Sequence, residues 1–103
     1  MGLLIEATQE KPIIISGTDI QLPSVYCRIE FAGRKDGITL EIGSLIYASK
    51  QAYLEGKIIY TNVDNQPFAV ELLAGETQDI NTALNYTKVY FDNLGYNTTI
   101  DIN

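Results

Sequence analysis

Between Asp79 and Gly95 the chain places Ile80, Leu84, Thr87, Phe91 and Leu94 at spacings of four, three, four and three. Wound as an α-helix, these residues and Ala83 occupy an arc of about 100°, a single stripe with a polar remainder. Thr77 and Asp79 are both suited to cap the start. Glu76 and Asp79 suit the positive end of the helix dipole, and Gly95 suits the stop. The pattern predicts a helix over about 78–94. A helix that is apolar on one side has to lie on something broad, and no second helix of that length is legible. A sheet must therefore cover the stripe. By area, burial of Ile80, Leu84, Phe91 and Leu94 contributes about 1.5–3 kcal/mol each.

The strands for that sheet are legible upstream. Leu3–Ala7 and Pro12–Ser16 are short β-favouring runs, separated from the next strand by the turn-rich GTDIQLPS. In VYCRIEFA, Val25, Cys27, Ile29 and Phe31 alternate with Tyr26, Arg28 and Glu30, which are expected on the wet side. Ile38, Leu40 and Ile42 resume the alternation after the Asp36-Gly37 loop, so the two runs form a hairpin. Its wet-side neighbours are expected to pair Arg28 or Glu30 with Glu41 or Thr39. Leu45–Ala48 is strand-like. Ser49 then caps a short helix of about two turns over roughly 49–55, ended by Gly56. Lys57–Val63, Phe68–Leu73 and Tyr96–Ile102 read as further strands.

The fold class that results is α+β. A β-rich antiparallel sheet or small sandwich of about six or seven strands carries the C-terminal helix, with the short helix beside it. With 103 residues and 46% apolar content, residues 1–103 make a single domain with an ordinary core.

Several kinds of chemistry are excluded by composition. The chain has no histidine, so neither a Ser-His-Asp nor a Cys-His site can be built, and one cysteine without histidine rules out a zinc centre. Cys27 sits in the apolar half of a strand, as a buried inert thiol would. The eight glycines mark turns and helix ends and form no phosphate loop. Asn62, Asp64 and Asn65, and Asp79 with Asn81, are the oxygen-rich stretches, and they read as a turn and a helix cap rather than a calcium loop. Glu30 and Glu41 are the nearest thing to a carboxylate pair, both on the wet side of the hairpin. Asn85 and Asn97 head formal glycosylation sequons, but the first falls inside the helix. No cofactor or metal is expected.

Charge points the same way. Residues 1–57 hold seven acids and six bases, a balance of −1, whereas residues 58–103 hold six acids and only Lys88, a balance of −5. Phosphate backbones need clustered Lys and Arg, so nucleic acid is not an expected partner. The opening MGLLIEATQEK has no secretory pattern, and no run is apolar for long enough to cross a bilayer, so no membrane role is expected.

What remains is seven tyrosines, a residue type that supplies large amphipathic contact area. Tyr53 on the short helix, Tyr86 and Tyr90 on the shoulder of the long one, and Val89 opposite its stripe are the candidate interface residues.

The phrases LPSVYCRIEFA, DGITLEI, SKQAYLEGK and FAVEL, and the ending YFDNLGYNTTIDI, resemble small structural proteins of tailed bacteriophages and prophages. The resemblance runs from about Leu22 to the end of the chain. It implies a virion part made in the host cytoplasm, present in many copies in a head, neck or tail, and it brings no catalytic residues. The expected function is a non-enzymatic structural or assembly subunit that contacts itself or other virion proteins. The alternative is a small acidic inhibitor or regulator that occupies a basic site on a host or phage protein. A carboxylate-dependent enzyme is a third reading, requiring two acids in a concave site.

Overall fold

A computed structural model describes residues 2–102. Its elements run β1 (Gly2–Glu6), β2 (Ile13–Ile14), β3 (Gln21–Leu22), β4 (Ser24–Gly33), β5 (Thr39–Tyr47), α1 (Lys50–Leu54), β6 (Phe68–Glu71), α2 (Ile80–Leu94) and β7 (Asn97–Asp101). Five strands form one antiparallel sheet in the order β6-β5-β4-β1-β7, and β2 and β3 make a two-stranded ribbon beside it. The architecture is the expected α+β arrangement.

Strand parity divides the sheet into two faces. Leu3 and Ile5 of β1, Val25, Cys27 and Ile29 of β4, and Leu40, Ile42 and Ile46 of β5 point to one side. They form the core with Ala83, Leu84 and Phe91 of α2. Asp79 caps α2 by accepting the Thr82 amide at 2.9 Å, and Gly95 closes it with φ 105°, a left-handed conformation that favours glycine. Buried Thr87 does not leave its hydroxyl unsatisfied, because it donates to the Ala83 carbonyl at 2.7 Å.

Among the described residues, a helix covers the other face at one end. There α1, capped by the Ser49 hydroxyl at 3.1 Å from the Ala52 amide, lays Tyr53 against Tyr26 and Tyr47. Tyr26, expected on the wet side, is therefore buried. Alternation assigns residues to opposite sides of a strand, and a docked helix then removes the solvent from one of them.

Three further expectations are corrected. The hairpin register sets Arg28 opposite Leu45, Glu30 opposite Gly43 and Ala32 opposite Glu41, because β5 runs unbroken through Gly43 to Tyr47. Phe31 is exposed despite its apolar parity, since among the described residues β1 pairs with β4 only as far as Cys27. Lys57–Val63 is extended but not a strand. It touches β5 through a Tyr47–Ile58 bridge and then switches to an Ile15–Thr61 bridge. Asn62 replaces the missing ladder with its side chain, accepting from the Ile14 amide at 2.8 Å and donating to the Pro12 carbonyl at 2.9 Å.

Candidate functional site

The candidate interface residues fall into two groups on opposite faces of the sheet. Tyr53 belongs to the aromatic cluster under α1, its ring 5.4 Å from Tyr26 and 5.3 Å from Tyr47. Tyr86, Val89 and Tyr90 lie on α2, across the sheet. Tyr90 stacks on Phe68 with centroids 4.6 Å apart, and Tyr86 donates its hydroxyl to the Glu76 carboxylate. That contact holds the Tyr86 phenol above its ordinary pKa and the Glu76 carboxyl below it. Both rings are half-buried against the margin of the core. Val89 is 55% exposed.

A second set of exposed apolar side chains lies on the face that α1 leaves open. Tyr47 and Ile58 are bridge partners, so Ile58 shares the side of Tyr47 and Leu45, and Tyr60 follows two residues on. Leu54, Ile58 and Tyr60 are 67%, 48% and 77% exposed, while Ile59 between the last two packs on the core. The segment is held firmly, the Ile59 amide donating to the Ile46 carbonyl at 3.0 Å and the Ser16 amide to the Tyr60 carbonyl at 2.9 Å. An apolar row is thus presented to solvent on a fixed backbone.

On the same face an open groove of about 520 Å³ is lined by Ala32, Gly43, Pro67 and Ala69, with Glu30 and Glu41 at its rim. The register makes the two carboxylates diagonal neighbours. Glu41 accepts from Nε of Arg34 at 2.9 Å, and Glu30 lies 3.8 Å from Nη1 of Arg28. Each carboxylate is therefore half-exposed and paired with a guanidinium, which suits a solvated contact surface.

No family model, curated protein or solved structure matches the chain.

Oxygen-rich residues of the turn and the helix cap, and two further acids of the C-terminal half, have structural roles in their own chain. Asp79 caps α2, Asp64 accepts the Gln66 amide at 3.3 Å, and Asn65 donates to the Ser44 carbonyl at 3.1 Å. Asp92 accepts from Lys88 at 3.0 Å, and Asp101 from Tyr26 at 3.0 Å. Cys27 is fully buried, and that burial pushes its thiol up to about 12. Asn85 and Asn97 are exposed. Among the described residues no group of three metal-ligating side chains converges, and no helix is long and apolar enough to cross a membrane.

The row at Ile58 and Tyr60 carries a signal in the sequence, since both alternate with Ile59. Parity could not say which set faces out, because both sets are apolar.

Proposed function

We propose that this chain is a non-enzymatic structural or assembly subunit, of the phage-virion kind its sequence resembles, working through protein–protein contacts. The observation that carries the reading is the exposed pair Ile58 and Tyr60, preorganised on backbone that is hydrogen-bonded on both sides. Tyrosine beside aliphatic side chains is the composition of contact surfaces, and a fixed backbone lowers the ordering cost of binding. The adjacent groove, with small residues on its floor and ion-paired carboxylates at its rim, offers shape and polar register to a neighbouring subunit. The acidic balance of residues 58–103 lends little to an inhibitor reading, because Asp64, Glu76, Asp79, Asp92 and Asp101 each accept hydrogen bonds from their own chain.

The test is light scattering across a wide concentration range, combined with affinity capture from virion components. Association is expected, tolerant of salt and weakened at least tenfold by Tyr60→Asp, with circular dichroism and thermal midpoint unchanged. A strict monomer with no captured partner sinks the reading. Association that Tyr60→Asp leaves untouched removes the row as its basis.

A further inference from the structure

Side chains of α2 reach the backbone of β7 at the edge of the sheet. The Ala7 amide donates to the Pro23 carbonyl at 2.9 Å, continuing the register that pairs Ile5 with Val25 and Leu3 with Cys27. Odd-numbered residues of β1 thus direct their backbone groups to β4, and even-numbered ones direct theirs to β7. Leu4 faces Thr99 and Glu6 faces Asn97, so these β7 residues spend their amides and carbonyls on β1. Tyr96, Thr98 and Ile100 turn theirs outward, and β7 is the last strand of the sheet.

At two of these three positions the helix already engages the outward groups. The Tyr96 amide donates to the Phe91 carbonyl at 3.3 Å as α2 closes. The Thr98 carbonyl accepts from the Lys88 ammonium at 2.9 Å, and the Thr98 amide faces the Asp92 carboxylate. The Thr98 hydroxyl completes the clasp, accepting from Lys88 at 2.9 Å and donating to Asp92 at 2.6 Å. Lys88 also donates to Asp92 at 3.0 Å, so all three of its N–H groups are used here. Among the described residues, Ile100 is then the one position of β7 at which an arriving strand meets both outward groups unclaimed.

We infer that Lys88 and Asp92 form an edge guard: they occupy the outward backbone groups of Thr98 and so keep β7 from pairing with a strand of another chain. An antiparallel partner bonds at every second residue, and with Thr98 released, Thr98 and Ile100 supply two successive pairs of bonds. Thr98, Thr99 and Ile100 are β-branched, and Asn97–Asp101 holds no proline or lysine to discourage pairing. The opposite edge, β6, is four residues long and is preceded by Pro67. Charge placement agrees, since Lys88 is the only base in residues 58–103 and the fold sets it at this carbonyl. The guard is independent of the surface at Ile58 and Tyr60, and it keeps β7 out of the assembly proposed there.

The test removes the guard in a chain carrying Tyr60→Asp, so that the proposed assembly surface does not contribute. With Lys88→Ala and Asp92→Ala added, light scattering is expected to show association at a concentration at least tenfold lower than in the parent. In the simplest pairing Thr98 of each copy faces Ile100 of the other, which sets the two Thr99 residues opposite one another. Thr99→Lys, at an exposed position, then places like charges together and is expected to abolish the association. Loss of a mere helix-to-strand tether would lower the thermal midpoint without creating an association that Thr99→Lys removes. Where circular dichroism shows the double variant unfolded, Lys88→Met, which keeps the aliphatic stem, takes its place. A folded variant that stays as monomeric as its parent overturns the guard, and so does association that Thr99→Lys leaves intact.

Discussion

The Tyr26 hydroxyl donates to Oδ2 of Asp101 at 3.0 Å, reaching from β4 over β1 to β7, and the same oxygen lies 2.8 Å from Nζ of Lys50 at the start of α1. One carboxylate thus ties an edge strand, a central strand and the short helix together. Gly2 permits the reach, since a Cβ there would stand 2.6 Å from the Tyr26 ring and 2.7 Å from the Cys27 carbonyl oxygen. Tyr26→Phe keeps the packing and removes the hydroxyl, leaving Asp101 its ammonium partner. Urea unfolding is expected to show a loss of about 1–2 kcal/mol, and no measurable loss would mean that the hydrogen bond is idle.

Phe91 is fully buried and meets both Tyr90 and Tyr96 edge-on, at centroid distances of 5.2 and 6.3 Å. It is the largest apolar side chain that α2 commits wholly to the sheet. Phe91→Ala is expected to cost about 3–5 kcal/mol, through lost transfer energy and the cavity left behind. A loss under about 1 kcal/mol in denaturant titration would mean that the stripe is not core.

The hairpin docks on the approach to α2 through Gln78. Its amide nitrogen donates to the Arg34 carbonyl at 3.2 Å and to the Thr39 carbonyl at 3.1 Å, filling the space where a Cβ on Gly33 would lie 2.4 Å from its Cδ. Gly33→Ala must displace that side chain. The substitution should cost about 1–2 kcal/mol, as should Gln78→Ala, and the double variant should lose no more than either alone. Strict additivity in a double-mutant cycle would separate the two residues.

Stability should fall at both ends of the pH range. The Thr39 hydroxyl holds the Asp36 carboxyl below its usual value, the Tyr86 hydroxyl does so for Glu76, and the Thr77 hydroxyl for Asp79. A depressed folded pKa contributes stability above the unfolded pKa, which is lost as pH falls through the folded one, so the acid limb lies below about pH 4. Burial raises Cys27 from 9.0 to about 12, and burial followed by the Asp101 contact raises Tyr26 from 10.0 to about 12. Raised values act in the opposite sense: their contribution is complete below the unfolded pKa and is lost as pH rises toward about 12. Urea midpoints against pH should show a plateau from roughly pH 5 to 8 with a decline on either side. Cys27→Ala should shallow the alkaline limb, and Asp79→Asn the acid one. An alkaline limb identical in Cys27→Ala would mean that the thiol does not titrate with unfolding.

Local chemistry was enough to settle part of this fold from sequence. Asp79 and Gly95 bound α2 because a capping carboxylate and a left-handed glycine act within one turn, and the stripe from Ile80 to Leu94 names the covered side wherever the helix docks. Alternation over Val25–Phe31 and Ile38–Ile42 likewise establishes the hairpin, since period two survives any packing partner. Which parity meets water is a different matter, because it depends on what the rest of the chain lays over each face. Tyr26 is buried because α1 returns over it, and Phe31 is exposed because β1 does not reach it. Ile58 and Tyr60 face out because Ile59 is bound to β5. Only tertiary structure decided those, and with them the surface on which the proposed function rests.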